Sequence, residues 1–266
     1  SYSVTGVQTC ALPIWSCSSD DSCENYSDTP VVEGYITRGN SIKVKVMRQT
    51  PFYAEANVSD DDINNLHVSV KSGDTIVQLT PVGKGIYKDT AQEMLPETGV
   101  DYDLFFTFNN RLVTASTRIL SKPENFCQSA TSMAIEAFEM GEETVFPDPV
   151  ILSWENDDES YYMLVVKNIE SNPSLINSNG MGNPPQRFFR NRPTQGSSME
   201  LEARYFQYYG THRLILFHLN ADYAALFSEN GNTSVNMVNP ATNIQNGLGI
   251  FTGLNSDTLY LEITQP

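Results

Sequence analysis

Tyr102-Asp103-Leu104-Phe105-Phe106-Thr107-Phe108-Asn109-Asn110, continuing from Leu112 through Ile119, is the stretch whose reading decides the fold. Tyr102, Leu104, Phe106 and Phe108 alternate with their neighbours at period two, the mark of a strand with one face on a core. Asn109-Asn110 supplies a turn, and Leu112 to Ile119 supplies the returning strand. The same pattern recurs upstream. Val31-Val32-Glu33-Gly34-Tyr35-Ile36 is a short strand, Ile42, Val44 and Val46 alternate with Lys43 and Lys45, and Leu66, Val68 and Val70 alternate with His67, Ser69 and Lys71. Ser72-Gly73-Asp74 turns that last strand into a hairpin through Leu79, and Gly83-Lys84-Gly85-Ile86-Tyr87 adds a turn and a strand. Short strands at roughly ten-residue spacing predict a β-sandwich of the immunoglobulin-like or prealbumin-like kind over residues 29–122.

Residues 123–266 read as a second, mainly β unit. Cys127 to Met140 fits a strand or a short helix equally well. Val150-Ile151-Leu152-Ser153-Trp154-Glu155, an acidic loop and then Tyr161 to Val166 resemble the passage from strand B to strand C of a fibronectin type III domain, where a tryptophan sits in the core. Strands are expected at Met199 to Phe206 and Arg213 to Leu219, with a long Asn, Gly and Pro-rich loop over Ser171 to Ser198. Asn220 is a good N-cap for one short helix through Phe227. Two closing strands are expected near Gly249 to Thr252 and Thr258 to Ile263.

The N-terminal segment stands apart from both units. Val4 to Ile14, VTGVQTCALPI, reads like the translation of a common short-read sequencing adapter, so residues 1–16 are set aside as adapter and signal remnant. The adjoining residues, Ser16-Cys17-Ser18-Ser19-Asp20-Asp21, resemble the lipidation site of a bacterial lipoprotein with an acidic export tag. Cys17 would carry the lipid, with Cys23 the weaker alternative, and residues 17–28 would form a flexible tether. Of the four cysteines, Cys23 and Cys127 remain; they could pair outside a reducing compartment, but no disulfide framework is indicated. The formal charge of −16 and pI near 4.4 exclude nucleic acid as a natural partner. No apolar run of about 18 residues exists to span a bilayer as a helix.

A family resemblance draws these features together. The lipoprotein-like start, Val32-Glu33-Gly34-Tyr35-Ile36, the Val-Lys-Val strand, Thr50-Pro51-Phe52, Gly85-Ile86-Tyr87, and the tail Asn239-Pro240-Ala241-Thr242-Asn243-Ile244-Gln245-Asn246-Gly247-Leu248-Gly249-Ile250-Phe251-Thr252-Gly253 resemble the Bacteroidota domain of unknown function 4249. The tail is the most specific part. The resemblance implies an outer-membrane, surface-exposed lipoprotein, often encoded near TonB-dependent transporters, with no assigned activity and no catalytic residues to carry over.

The residues offer little chemistry of their own. His67 sits on the wet side of a strand, and His212 and His218 share a strand and a face, about 20 Å apart at strand rise, too far for one metal or one triad. Neither Gly-x-Ser-x-Gly, His-Glu-x-x-His nor a P-loop occurs. Carboxylates are abundant, yet nothing singles out a glycosidase pair. Asp60-Asp61-Asp62 and Asp157-Asp158-Glu159 lack the spacing and glycine of an EF-hand loop. No catalytic residue, metal or cofactor is therefore expected.

Binding surfaces are better candidates. Arg187, Phe188, Phe189, Arg190 and Arg192 concentrate basic and aromatic residues in the long loop of an acidic chain, which is common hot-spot chemistry; an irregular strand with arginines on its wet face explains them equally. Tyr205-Phe206-Gln207-Tyr208-Tyr209 could present rings to a sugar, though alternating burial accounts for half of them. Thr75, Thr90 and Thr258, each after an aspartate, resemble Bacteroidota O-glycosylation sites. The sequence leads to a non-enzymatic, lipid-anchored binding or accessory module of the cell envelope, expected beside a TonB-dependent transporter, its small-molecule or glycan ligand unidentified. A structural or adhesive surface protein is the first alternative and a glycan-active enzyme the second.

Overall fold

The hairpin that opens the sequence reading is formed as expected. β7 (Asp101–Phe108) and β8 (Arg111–Arg118) pair antiparallel, with Tyr102 opposite Thr117 and Phe108 opposite Arg111. Asn109 and Asn110 both take positive φ, 47° and 61°, as a two-residue hairpin turn matched to strand twist requires. The computed structural model describes residues 28–49, 61–137, 146–177, 185–228 and 241–266. Cys17, Cys23, nearly all of the tether, Thr50-Pro51-Phe52, Asp60 and Asn239-Pro240 lie outside them.

The protein is all-β apart from short helical turns such as α1 (Asp61–Asn64), and it is built as two sandwiches that share one wall. That wall is a nine-stranded sheet. Its first half comprises β1 (Pro30–Thr37), β2 (Lys43–Arg48), β6 (Ile86–Lys88) and β5 (Thr80–Gly83). It is faced by a four-stranded sheet in which β7 and β8 adjoin β3 (Ser69–Ser72) and β4 (Thr75–Gln78). Val44, Val46, Tyr87, Leu104, Phe106 and Val113 fill the space between, none more than 2% exposed.

The second half of the wall contains β12 (Tyr161–Asn168), β15 (Gly210–Leu219) and the edge strand β13 (Phe188–Arg190). A small sheet of β14 (Ser198–Leu201), β11 (Val150–Ser153) and β9 (Cys127–Gln128) covers it. The passage from β11 to β12 crosses between sheets, and Trp154 beside it is buried against Tyr162, as the fibronectin-like reading expects. Cys127 to Met140, ambiguous in sequence, holds no helix where described but two short strands, β9 and then β10 (Ser132–Ala134), which pairs in parallel with the chain's last strand.

That last strand corrects one expectation. The two closing strands are a single strand, β16 (Leu248–Thr264), about 55 Å long at strand rise. Asn255-Ser256-Asp257 looks like a break because it is polar, but continuous pairing holds it. Leu248 to Leu254 run parallel to β1, and Leu254 to Ile263 run antiparallel to β15. β16 therefore changes partner at the seam between the sandwiches. Ile244 and Phe251, from the end of the chain, join the core of the first sandwich.

The family-like tail has its structural role here. Gly249 has φ +101°, and a Cβ there would sit 1.9 Å from the Val32 carbonyl oxygen, so only glycine lets β16 enter beside β1. On the strand's other flank, Asn243 acts as a surrogate strand. Its Nδ2 donates to the Phe251 carbonyl (2.8 Å), and the Phe251 N–H donates to its Oδ1 (3.0 Å).

The helix expectation holds in place but not in mechanism. α2 (Ala221–Ala225) follows Asn220, whose side chain makes no capping bond. Instead Asn220 Nδ2 donates to the carbonyls of Arg118 (2.9 Å) and Gly253 (3.1 Å), tying the helix to both sandwiches at the seam. The Asn220 carbonyl already takes the Tyr223 and Ala224 N–H groups (3.1 Å each), which leaves its side chain free to bond the carbonyls of two sheets where they meet.

Candidate ligand-binding face

Each sheet buries one face, so the opposite face of the nine-stranded wall is open except where α2 lies on it. On β12, Leu164 and Val166 point into the core, which sends Val165 and Lys167 outward. The register then sets a row across four strands. Tyr260 of β16 stands opposite Arg213 of β15, Arg213 opposite Lys167 of β12, and Lys167 opposite Phe188 of β13. Tyr260 is 53% and Phe188 55% exposed, so both rings project from an otherwise wet surface. The next row carries Thr258, Ile215, Val165 and Arg190.

Two cations directly opposite each other repel. Among the described residues neither Lys167 nor Arg213 has an ion pair, and Arg213 Nε is buried without a hydrogen-bond partner. Two carboxylates near the adjoining row bond Thr211 rather than either cation. Glu262 accepts from the Thr211 hydroxyl (2.8 Å), and Glu170 accepts from the Thr211 backbone N–H (3.0 Å), which holds its carboxyl below the usual range. In a chain with 32 acidic and 16 basic residues, two facing cations thus stand without an ion pair among the described residues, between two exposed rings.

The arginine-rich segment enters this face only in part. The long loop read over Ser171 to Ser198 contains β13, because the free edge of β12 takes backbone partners there. Phe189 points to the core side and stacks on Tyr205, centroids 4.8 Å apart. Phe188 and Arg190 take the open face, with Arg190 5.2 Å above the Phe227 ring. Arg187 lies over Tyr208 and donates to the Glu170 carbonyl, and Arg192 is exposed, two residues beyond the end of β13. So the five residues do not act as one patch. Tyr205 and Phe206 are largely internal, and Tyr208 and Tyr209 are half-buried.

Lower on the same face, α2 closes over Met163, Leu219 and Ile250. Tyr223 meets Tyr35 edge-on at 6.0 Å. Burial, reinforced by Tyr223 and Glu33, pushes the Tyr35 hydroxyl up to about 12, so it remains a neutral donor.

The histidines are separate. His67 is exposed beside Gln78 (3.0 Å). His212 is buried near Asn168 and meets Phe206 edge-on, and burial pushes its imidazole below the ordinary value. His218 stacks on Tyr162 at 4.7 Å and lies 2.9 Å from the Ser121 carbonyl. Among the described residues no group of three His, Cys, Asp or Glu side chains is placed to hold a metal. Cys127 is exposed, 3.1 Å from the Ser153 hydroxyl.

Thr75 and Thr90 are exposed, but Asp89 is buried and accepts the backbone N–H groups of Glu93 and Met94, so it serves a turn. Thr258 is half-buried in the middle of β16. A cleft of about 650 Å³ opens at the seam, lined in part by Arg38, Glu97, Thr98, Lys122 and Asn255. Its polar groups are largely occupied: Lys122 pairs with Asp257 (3.4 Å), and Asn255 donates to the Leu120 carbonyl and Thr98 hydroxyl.

The sequence singles out Phe188 and Arg190, which lie on this face, but not Lys167, Arg213 and Tyr260. Their signal was faint: a Lys or Arg at a wet position of a strand is ordinary, and only the register puts them in line. No helix among the described residues is long and apolar enough to cross a membrane. No protein-family model matches the chain, and no curated protein does. Among solved structures, a crystal structure of titin domains is similar with a TM-score of 0.21 at 10% identity, over 73% of this chain and 61% of that one, so the chain spans less than two thirds of its length.

Proposed function

We propose that the chain is a non-catalytic binding or accessory module of the cell envelope, held to the outer membrane by a lipid on Cys17 and working beside a TonB-dependent transporter. The observation that carries the reading is where the open face lies relative to the chain's entry. Asp28 is fixed at the foot of the first sandwich, accepting from Asn109 Nδ2 (2.9 Å) and pairing with Arg48 (3.4 Å). β1 starts there and runs parallel to β16. Tyr260 stands about 40 Å farther along β16 than the residue opposite Val31. A tether over residues 17–28 would thus hold the foot to the membrane and turn the row of Tyr260, Arg213, Lys167 and Phe188 outward. A single lipid chain holds weakly, so the anchor would need more than one acyl chain.

The test is recovery of the protein from its native envelope through a C-terminal tag. We expect a lipid mass on Cys17 and co-purification of an outer-membrane transporter. Recovery as an unlipidated protein without envelope partners would contradict the proposal.

A further inference from the structure

We infer that the row Tyr260, Arg213, Lys167 and Phe188 is a binding site for an acidic carbohydrate, a chain of pyranose rings bearing carboxylates; the inference rests on the binding-module reading above. The primary observation is a conflict in the fold. Lys167 and Arg213 face each other across paired strands, a like-charge arrangement that costs stability, and no carboxylate among the described residues forms an ion pair with either. Sites where local rules fail without compensation are where function is expected.

Charge complementarity asks for an anion. A carboxylate placed between the two side chains would accept from the Lys167 ammonium and from the outer edge of the Arg213 guanidinium, whose Nε is itself buried, and charge-assisted bonds of this kind are the strong ones. The flanks ask for rings. Tyr260 and Phe188 end the row on either side, exposed by more than half, and flat aromatic faces stack on sugar rings. From end to end the row crosses three inter-strand spacings, about 14 Å, the scale of a short oligosaccharide.

The direction of the row separates this ligand from an acidic peptide. An extended peptide adds to a sheet through backbone hydrogen bonds at a free edge. Lys167 and Arg213 lie on β12 and β15, both paired on their two sides, so a ligand touching both must cross the strands and meet side chains alone. A bilayer of anionic lipid is a separate candidate. The row sits at the end of β16 remote from Asp28, away from the membrane that a tether would reach.

The experiment is calorimetric titration of the full chain with short oligogalacturonates, with neutral maltooligosaccharides of the same length and with phosphatidylglycerol vesicles. The variants are Lys167→Glu, Phe188→Ala and, as a control, Arg111→Glu, an exposed residue at the foot of the first sandwich. Lys167→Glu turns a repulsive pair into an attractive one, and an unchanged or raised urea midpoint in it separates loss of binding from loss of fold. We expect oligogalacturonate to bind, more weakly as salt rises, and affinity to fall by roughly tenfold or more in Lys167→Glu and in Phe188→Ala but not in Arg111→Glu. No binding, equal binding of the neutral sugar, an equal loss in Arg111→Glu, or preference for the vesicles would each overturn the inference. Lipidation and co-purification are read in native envelopes without the sugar. A lipidated chain that keeps its partners but ignores oligogalacturonate sinks the ligand and leaves the module; an unlipidated chain that binds the sugar does the reverse.

Discussion

Lys167 and Arg213 make the clearest case at the scale of single residues. Replacing Lys167 by Glu removes a repulsion and creates a cross-strand ion pair, so we expect it to raise stability by about 0.2–1 kcal/mol, seen as a higher urea midpoint at unchanged slope. A lower midpoint would mean that the lysine is held by contacts other than those of the open face. His212 gives a pH dependence. Burial lowers its pKa in the folded protein, whereas the unfolded chain protonates near its ordinary 6.5. The unfolded state thus binds the proton more readily, and stability present above pH 6.5 is lost as pH falls through the lowered folded value. The variant His212→Gln should flatten this acid limb, which urea midpoints measured on either side of pH 6.5 will show. The separation of His212 and His218 was legible in the sequence, because the rise of one strand sets it whatever the fold. The Lys167 and Arg213 pair was not legible, since no local pattern reports which residues face each other across two chains of hydrogen bonds.

Among the elements, the entry of β16 is the most demanding. Asn243 offers Phe251 both bonds that a neighbouring strand would offer, and Phe251 is fully buried in the first core. Asn243→Ala leaves that backbone pair without its side-chain partners, and we expect a loss of about 1–3 kcal/mol in urea unfolding and faster hydrogen exchange at the Phe251 amide. Gly249→Ala should cost more than Asn243→Ala, because it combines a left-handed φ with a Cβ driven into the Val32 carbonyl. The hairpin of β7 and β8 was readable because its period, turn residues and burial all agree. The tail was legible as two closing strands but not as the single strand β16, because Asn255-Ser256-Asp257 is polar where the partner changes. Asn220 was likewise found at the right place and given the wrong partner, since capping is a local rule and its actual acceptors, Arg118 and Gly253, are distant in sequence.

For the whole molecule, one strand shared by two sandwiches has a mechanical and a functional consequence. Because β16 is part of both halves of the wall, the two should unfold together. Gly253 sits at the seam, where a Cβ would approach the Arg118 carbonyl to 2.5 Å. Gly253→Val should therefore lower in step the midpoint reported by Trp154 emission in the second sandwich and that reported by amide exchange of β7 and β8 in the first. Separate transitions in the parent chain would show that the sandwiches are independent. The two-sandwich plan was legible from alternation and turn spacing, but the shared wall was not, because it depends on β16 returning across the chain to lie beside β1. That return also gives the molecule its polarity, with the entry at Asp28 at one end and the row of Tyr260, Arg213, Lys167 and Phe188 toward the other. The most direct test is photo-crosslinking in the native envelope, with benzoylphenylalanine placed at Phe188 or, for comparison, at Leu112, an equally exposed residue of the first sandwich. A module that recognises its partner through the open face should give a discrete crosslinked envelope component from position 188 and none from 112. No adduct at 188, or the same adducts from both positions, would contradict it.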